Sequence, residues 1–291
     1  MIHPGGAKRS VKIVRFDLRD PELVYDDPRK LRYHDTGYLT TLSHLRLAWS
    51  DDGRGFTVEK RPSLEGDSCF ETFGIEDARV TRIGRTFYIT HTAVSEKGVA
   101  VGMITTRDFR EFTRRGLIMP PHNKDCALFP EKIEGLYYAF HRPGGILLGG
   151  NYIWLSSSED LVHWGRPRCV LMTRGDGWDS ARVGINGPPF RTEDGWVALY
   201  HGADRKGVYR IGAVLLDGKR PWLVRARTDE PLMVPRESYE RRGFYGNVVF
   251  SCGHVIRGRR LIIYYGAGDR VVCGAECSVK RVCESLERNR I

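Results

Sequence analysis

Five short runs rich in Val, Ile, Tyr and Phe recur along the chain: VKIVRFD (11–17), TFYITHT (86–92), LYYAFHR (136–142), WVALYHG (196–202) and LIIYYGA (261–267). Four of them follow a short polar turn, at 83–85, 134–135, 194–195 and 257–259. Runs of this kind between Gly, Asp and Pro breakers are strand signals, and helical periodicity is scarce. Each run is followed by a second strand-like piece, at 45–58, 99–113, 152–164, 209–224 and 271–279. The first three of these share a small polar pair, an acidic turn and then an aromatic (SDDGRGF, TRDFREF, SSEDLVHW). That punctuation reads as a hairpin closing one sheet and leading to the next. The interval of roughly 50 to 75 residues suits four-stranded propeller blades. Five matched hairpins in order favour an all-β, five-bladed β-propeller, as one domain over 1–291. A β-sandwich would not produce them in register.

In a propeller the innermost strands line a central channel, and the runs end on ionisable residues. These are Arg15 with Asp17, His91, Arg142 and His201, and the last run leads to Asp269. Ionisable groups at equivalent repeat positions make a ligand site. His91 reads as lining the channel, with packing as the alternative. Arg46, in SHLRLA, is a candidate for a phosphate or a substrate hydroxyl beside Arg15, and Trp178 and Asp179 are expected to border the pocket. Ahead of the second run, FETFGIEDARV (70–80) sets Glu71, Glu76 and Asp77 close to Arg79. Crowded carboxylates raise one another's pKa, and a carboxylic acid still protonated near neutrality suits a general acid. A solvated acidic turn accounts for the same residues, and they leave both readings open.

The chain of 291 residues carries 46 Lys and Arg against 36 Asp and Glu, a net charge of +10. This suits an anionic partner such as phosphate. The basic residues are scattered, the longest cluster being Arg257, Arg259 and Arg260, so nucleic acid is not an expected partner. There is no apolar leader and no long apolar run; a cytoplasmic protein without membrane contact is expected. Seven cysteines form no CxxC pair and are expected to be reduced thiols. Cys273 and Cys277 read as buried small hydrophobes, so no metal site is expected. The Gly-Gly pairs at 144–145 and 149–150 mark a flexible loop. The segment 280–291 is expected to form a short amphipathic helix with Val282 and Leu286 on one face, as a clasp or a homo-oligomer contact.

Several motifs resemble glycoside hydrolase family 130, the β-mannoside phosphorylases and their hydrolytic relatives. They are GIEDARV (74–80), NKDCALFPEKIEGLYYAFHRP (123–143), IWLSSSEDLVHWG (153–165), RVGINGPPF (182–190), YHGAD (200–204), GFYGNVVFSCG (243–253) and YYGAGD (264–269). The resemblance covers nearly the whole chain, and that family's five-bladed propeller agrees with the repeat count. It implies inverting attack on a β-mannoside with inorganic phosphate as co-substrate and no cofactor, on short manno-oligosaccharides. Asp77 matches the family's proton donor, acting through the mannosyl 3-hydroxyl. Arg142 and His201 match phosphate-binding positions, Arg182 is a third cationic contact, and Arg15 is a further candidate. Lys124, Asp125 and Asp269 fall at positions lining the sugar site, and Tyr200 is expected to be a further substrate contact. The physics fits, since phosphorolysis needs one acid and a cationic cradle for the anion but no protein base. An inverting hydrolase would need a second, well-separated carboxylate. Glu276 stands where many members are uncharged and is the candidate base for that alternative. At the N-terminus His3 replaces the asparagine of the family's first strand and a stretch that usually precedes it is missing. This leaves that sugar contact and the closure of the first blade open. Ala78 stands where many members have proline.

Overall fold

The computed structural model describes residues 11, 13–27, 29–144 and 149–290. His3 and most of the loop between the two Gly-Gly pairs lie outside the described residues. The chain is all-β. A small sheet of β1 (Leu23–Asp27), β2 (Lys30–Tyr33) and β3 (Thr36–Leu39) comes first, then a two-stranded hairpin of β4 (Ala48–Trp49) and β5 (Thr57–Val58). A four-stranded sheet follows in simple order: β6 (Gly74–Ile83), β7 (Thr86–Ser95), β8 (Gly98–Thr106) and β9 (Phe112–Met119). The next repeats that order with β10 (Asn123–Leu128), β11 (Tyr137–Pro143), β12 (Ile153–Ser158) and β13 (Gly165–Leu171). A third has β14 (Arg182–Ile185) and β15 (Phe190–Thr192) both against β16 (Gly195–Ala203), then β17 (Tyr209–Leu216) and β18 (Val224–Arg227). After the one-turn helix α1 (Ser238–Arg241), β19 (Val249–Arg257), β20 (Arg260–Ala267) and β21 (Val271–Ser278) form the last sheet, and α2 (Val279–Glu287) ends the fold.

Four of the five apolar runs lie in β7, β11, β16 and β20, but each is the second strand of its sheet and not the first. The run at 11–17 is no strand over 13–17. The reason is burial on both faces. In β16, Trp196, Ala198 and Tyr200 pack towards the preceding sheet, while Val197 and Leu199 pack towards the following one. Such middle strands read as continuous apolar sequence. The first strands β6, β10, β14 and β19 precede them, are more polar, and carry a weaker signal.

The expected hairpins are present, joining the last two strands of one sheet instead of leading to the next. Their shared punctuation has a common geometry. The hydroxyls of Ser50, Thr106 and Ser158 accept from the backbone N–H of Gly53, Phe109 and Leu161 at 2.8, 2.9 and 2.8 Å. Asp52, Asp108 and Asp160 each accept from two backbone N–H groups just beyond. These are side-chain-stabilised turns. Asp217 does the same for Lys219 and Arg220, a fourth copy that lacks the hydroxyl.

Apolar clusters lie between successive sheets. Ile75, Ile89 and Ile104 pack with Leu45 and Leu64, and Met103, Leu128 and Leu161 join the first two large sheets. Phe129, Phe140 and Trp196 join the next pair, and Leu199, Val249 and Ile263 the last. The β4–β5 loop returns to the last sheet, where Tyr264 donates to Gly53 O at 2.7 Å. The segment just before β4 meets β6, with Ile75 N donating to Ser43 O at 3.3 Å. Gly74, at φ +108°, allows this contact, since a Cβ there would lie 2.0 Å from Ser43 O. The C-terminal helix forms as expected. Ser278 caps it and Val282 and Leu286 are buried, so it clasps its own sheets. No helix among the described residues is long and apolar enough to cross a membrane.

Three histidines set an acid limit on this fold. Burial pushes His141, His201 and His254 down to about 4, so all three are neutral in the folded protein. Their unfolded pKa is about 6.5. Between those values the unfolded chain binds more protons, so stability is complete above the unfolded pKa and is lost as pH falls towards the folded one. Urea midpoints should therefore fall steadily from pH 7 to pH 5, at up to about 1.4 kcal/mol per pH unit for each histidine. A flat profile over that window would show that these imidazoles are solvated.

Candidate functional site

The first strands meet around one arginine. Arg79, on β6, is 1% exposed. Its guanidinium donates to Ile185 O and Asn186 O beyond β14 at 3.1 Å each, to Asp77 O at 2.7 Å, and to Asp125 Oδ1 on β10 at 3.1 Å. Asp125 is equally buried and faces two further groups. Arg142 Nε lies 2.7 Å from Asp125 Oδ2, an ion pair at hydrogen-bond distance but without hydrogen-bond alignment, and His201 Nε2 lies 3.5 Å from the same oxygen. Burial alone would raise the Asp125 carboxyl. Arg142, Arg79 and His201 outweigh it and hold the group well below the usual carboxylate range. His201 is pushed down chiefly by burial, and its Nδ1 lies 3.0 Å from Asn186 Oδ1. Gly184 is required beneath it, because a Cβ there would come 2.3 Å from Asp125 Oδ2 and 2.5 Å from the His201 ring.

Two matched bulges aim the acids. The register of β6 against β7 shifts between Glu76 and Arg79, and that of β10 against β11 between Lys124 and Ala127. Asp77 (φ 56°) and Asp125 (φ 51°) occupy the same place in the two bulges, in the left-handed region. Bulges of this kind re-aim side chains at functional sites. Asp77 thereby faces a cavity of about 350 Å³, and Asp125 lies under its floor.

This cavity is lined by the carboxyl groups of Glu76, Asp77 and Asp269 and by Arg142, Arg182 and His201, with Lys124 beside them. Tyr209, Tyr245, Phe244 and Phe250 add aromatic surface, and Arg29, Lys30, Leu39 and Thr41 come from the N-terminal sheet and its flank. Arg182 is steadied by Tyr209, to whose hydroxyl it donates at 2.9 Å. The upward shift expected in the acidic stretch falls on Glu76, raised first by burial and then by Asp77, with Lys124 and the Ser43 hydroxyl opposing. Glu71 goes the other way. Burial raises it, but His91, the Asp67 N–H and Arg114 together lower it.

The structure thus brings together Asp77, Arg142, His201, Arg182, Lys124 and Asp269, with Asp125 supporting from beneath instead of lining the site. Other expectations are corrected. His91 is buried against Glu71 at 2.9 Å and does not line the cavity. It occupies the place in β7 that His141 has in β11, one residue before the position equivalent to Arg142, and a one-residue step reverses the face. Tyr200, next to His201, faces the sheet interface for the same reason and donates to Asp179 at 3.0 Å. Asp179 is itself buried under Arg174 and Arg227, and neither it nor Trp178 borders the pocket. Arg15 and Arg46 are exposed, the latter reaching only Glu59 O at 3.5 Å. Glu276 lies on the outermost strand β21, lines a different cavity of about 360 Å³, and pairs with Arg260 at 3.2 Å. Sequence reasoning gave no role to Glu76, Arg79, Asn186, Tyr209 or Phe250. All five stood in stretches already singled out, but which of their side chains meet at the site needed the sheet register.

Carboxyl and cationic groups gathered in one aromatic-edged cavity can hold a polyhydroxylated ring together with an oxyanion. The family model for glycoside hydrolase family 130, described as beta-1,4-mannooligosaccharide phosphorylase, matches residues 26–288. A beta-1,2-mannobiose phosphorylase of Listeria innocua is 42% identical over 283 residues, 96% of this chain and 80% of that protein. A 1,2-beta-oligomannan phosphorylase of a Thermoanaerobacter species is 37% identical over 246 residues, covering 83% of this chain and 80% of its own length. The solved Listeria innocua enzyme in complex with beta-1,2-mannobiose superposes with a TM-score of 0.92 at 43% identity, over 94% of this chain and 79% of that one. A second solved structure, from work on family 130 hydrolases that target beta-1,2 mannosidic linkages in Candida mannan, gives a TM-score of 0.73 at 26% identity, over 82% and 76%. Family match and site geometry agree: this chain belongs to glycoside hydrolase family 130.

Proposed function

We propose that this protein is a β-mannoside phosphorylase that cleaves β-1,2-linked manno-oligosaccharides with inorganic phosphate to give α-mannose 1-phosphate. The gathering of Asp77, Arg142, Arg182 and His201 in one cavity carries this reading. A phosphate oxygen held by the arginines attacks C1 from the face opposite the glycosidic oxygen and forms the new C1–O bond. The C1–O bond to the leaving sugar breaks, and the leaving oxygen takes the Asp77 proton by way of the mannosyl 3-hydroxyl. Glu76, its carboxyl raised by burial, lines the same cavity as a further contact for the sugar. Lys124 and Asp269 bind hydroxyls. His201, neutral, contributes a hydrogen bond without charge, and the charge is carried by Arg142 and Arg182. Asp125 holds Arg142 in place. Hydrolysis lacks similar support, since Glu276 lies in another cavity.

The architecture that suits this site is a five-bladed propeller in a single domain. The three large sheets, the last sheet and the β4–β5 hairpin supply the blades. Apolar clusters between neighbours support that order, as do the return of the hairpin to the last sheet and the contact of the segment before it with β6.

Incubation with β-1,2- and β-1,4-mannobiose, with and without phosphate, tests the function. Mannose 1-phosphate should form from the β-1,2-linked sugar and only with phosphate present; free mannose at a phosphate-independent rate would overturn the proposal. Asp77→Asn should lower kcat by about 10²- to 10⁴-fold with an unchanged circular dichroism spectrum, and retained turnover would remove Asp77 as the acid. Arg142→Lys keeps the charge facing Asp125 but loses the planar fork, so KM for phosphate should rise about tenfold or more while KM for the sugar changes little. An unaltered phosphate KM would place the anion elsewhere.

A further inference from the structure

His201 has one proton and two oxygens to satisfy. Its Nδ1 lies 3.0 Å from Asn186 Oδ1, and its Nε2 lies 3.5 Å from Asp125 Oδ2. We infer that Asn186 presents its amide N–H to Nδ1 and so holds His201 in the tautomer that carries its proton on Nε2. Asn186 is then a positioning residue for phosphate, acting through His201 and Asp125 on Arg142. That role rests on the phosphorolysis reading of the site.

A neutral imidazole has one N–H and one bare nitrogen, and the hydrogen bond made at one end of the ring decides which is which. The ring is neutral because burial pushes it down to about 4. The Asp125 carboxylate, held ionised by its cations, can only accept. The Asn186 amide can accept or donate, since half a turn about its last bond exchanges Oδ1 and Nδ2. With Oδ1 against the ring, the proton is drawn to Nδ1. A bare Nε2 then faces the carboxylate, and Asn186 Nδ2 and His201 Nε2 are both buried with no hydrogen-bond partner among the described residues. With Nδ2 against the ring, Nδ2–H donates to Nδ1 and Nε2–H points to Asp125. The cost is an unpaired Asn186 Oδ1, and a buried carbonyl tolerates this better than a buried N–H.

The surroundings leave these two side chains little other freedom. Asn186 is fully buried, its backbone N–H donates to Leu199 O at 3.0 Å, and its backbone carbonyl accepts from Arg79 Nε at 3.1 Å. The His201 ring packs on Phe250 at 4.5 Å between centroids, and Gly184 stands opposite it in register. The tautomer matters because Asp125 Oδ2 also faces Arg142 Nε at 2.7 Å. An N–H on His201 steadies that oxygen, whereas a lone pair would repel it and loosen the hold on Arg142.

Nitrogen-15 NMR of the full chain reads the tautomer without turnover, because protonated and bare ring nitrogens resonate far apart. The His201 signals are those that vanish in His201→Gln. At pH 7 the wild type should show a protonated Nε2 and a bare Nδ1 displaced by an accepted hydrogen bond. A proton on Nδ1 overturns the inference, and this spectrum alone decides if Asn186→Leu does not fold. Asn186→Leu fills similar space without a donor, so Nδ1 should move to the position of an unbonded nitrogen. Its KM for phosphate should rise about three- to tenfold while KM for mannobiose stays within about twofold. A wild-type Nδ1 shift retained in Asn186→Leu, or equal rises in both KM values, overturns the positioning role. If the wild type releases no mannose 1-phosphate, the phosphorolysis reading falls and takes the phosphate role with it, while the tautomer is still decided by the spectrum.

Discussion

Everything near the centre depends on the ion cluster of Asp125, Arg79 and Arg142. A carboxylate at 1% exposure is tolerated only because two guanidiniums face it, and each of those is tolerated only because of the carboxylate. Arg79 gives its remaining donors to backbone carbonyls of two strand regions, so with Asp125 the cluster joins β6, β10 and the end of β14 as well as neutralising itself. Apolar residues could fill that volume with equal stability, but they would leave nothing to hold Arg142 at the cavity wall. The buried charge fixes a position.

The same strands carry the reactive groups through a repeated irregularity. Regular β6 and β10 strands would alternate their side chains between the two sheet faces. The bulges at Asp77 and Asp125 break that alternation and turn one residue of each strand towards the site. One repeat uses the bulge for an acid in the open cavity, and its neighbour uses it for the support beneath. Duplicated geometry with divided roles explains why two similar stretches, IEDAR and NKDCA, contribute such different chemistry.

How much was legible follows from the strength of each signal. The hydroxyl-and-aspartate turns after β4, β8 and β12 were visible because their hydrogen bonds are local and require those residue types. The apolar runs were visible because middle strands are buried on both faces, which also caused them to be misplaced as first strands. His91 and Tyr200 failed for a finer reason. His91 lies one residue before the position equivalent to Arg142, opposite a bulge that an apolar pattern does not reveal. Tyr200 lies one residue before His201 on the regular β14–β16 pair, where alternation turns it to the other face. Glu276 failed on distance: chemistry suited to a base was set on the outermost strand, paired with arginines.

The sequence by itself determined the all-β class, four of the strand runs, the turn chemistry, the amphipathic C-terminal helix and, by resemblance, the family. These rest on local hydrogen bonding, on burial patterns and on motif spacing, all carried within short stretches of chain. Tertiary structure alone decided which ionisable residues share a cavity, that Asp125 lies beneath it instead of within it, and that Glu76 is the carboxyl raised by burial. Those outcomes depend on strand register and on the packing of sheets far apart in sequence, where a shift of one residue moves a charge from the site to the core.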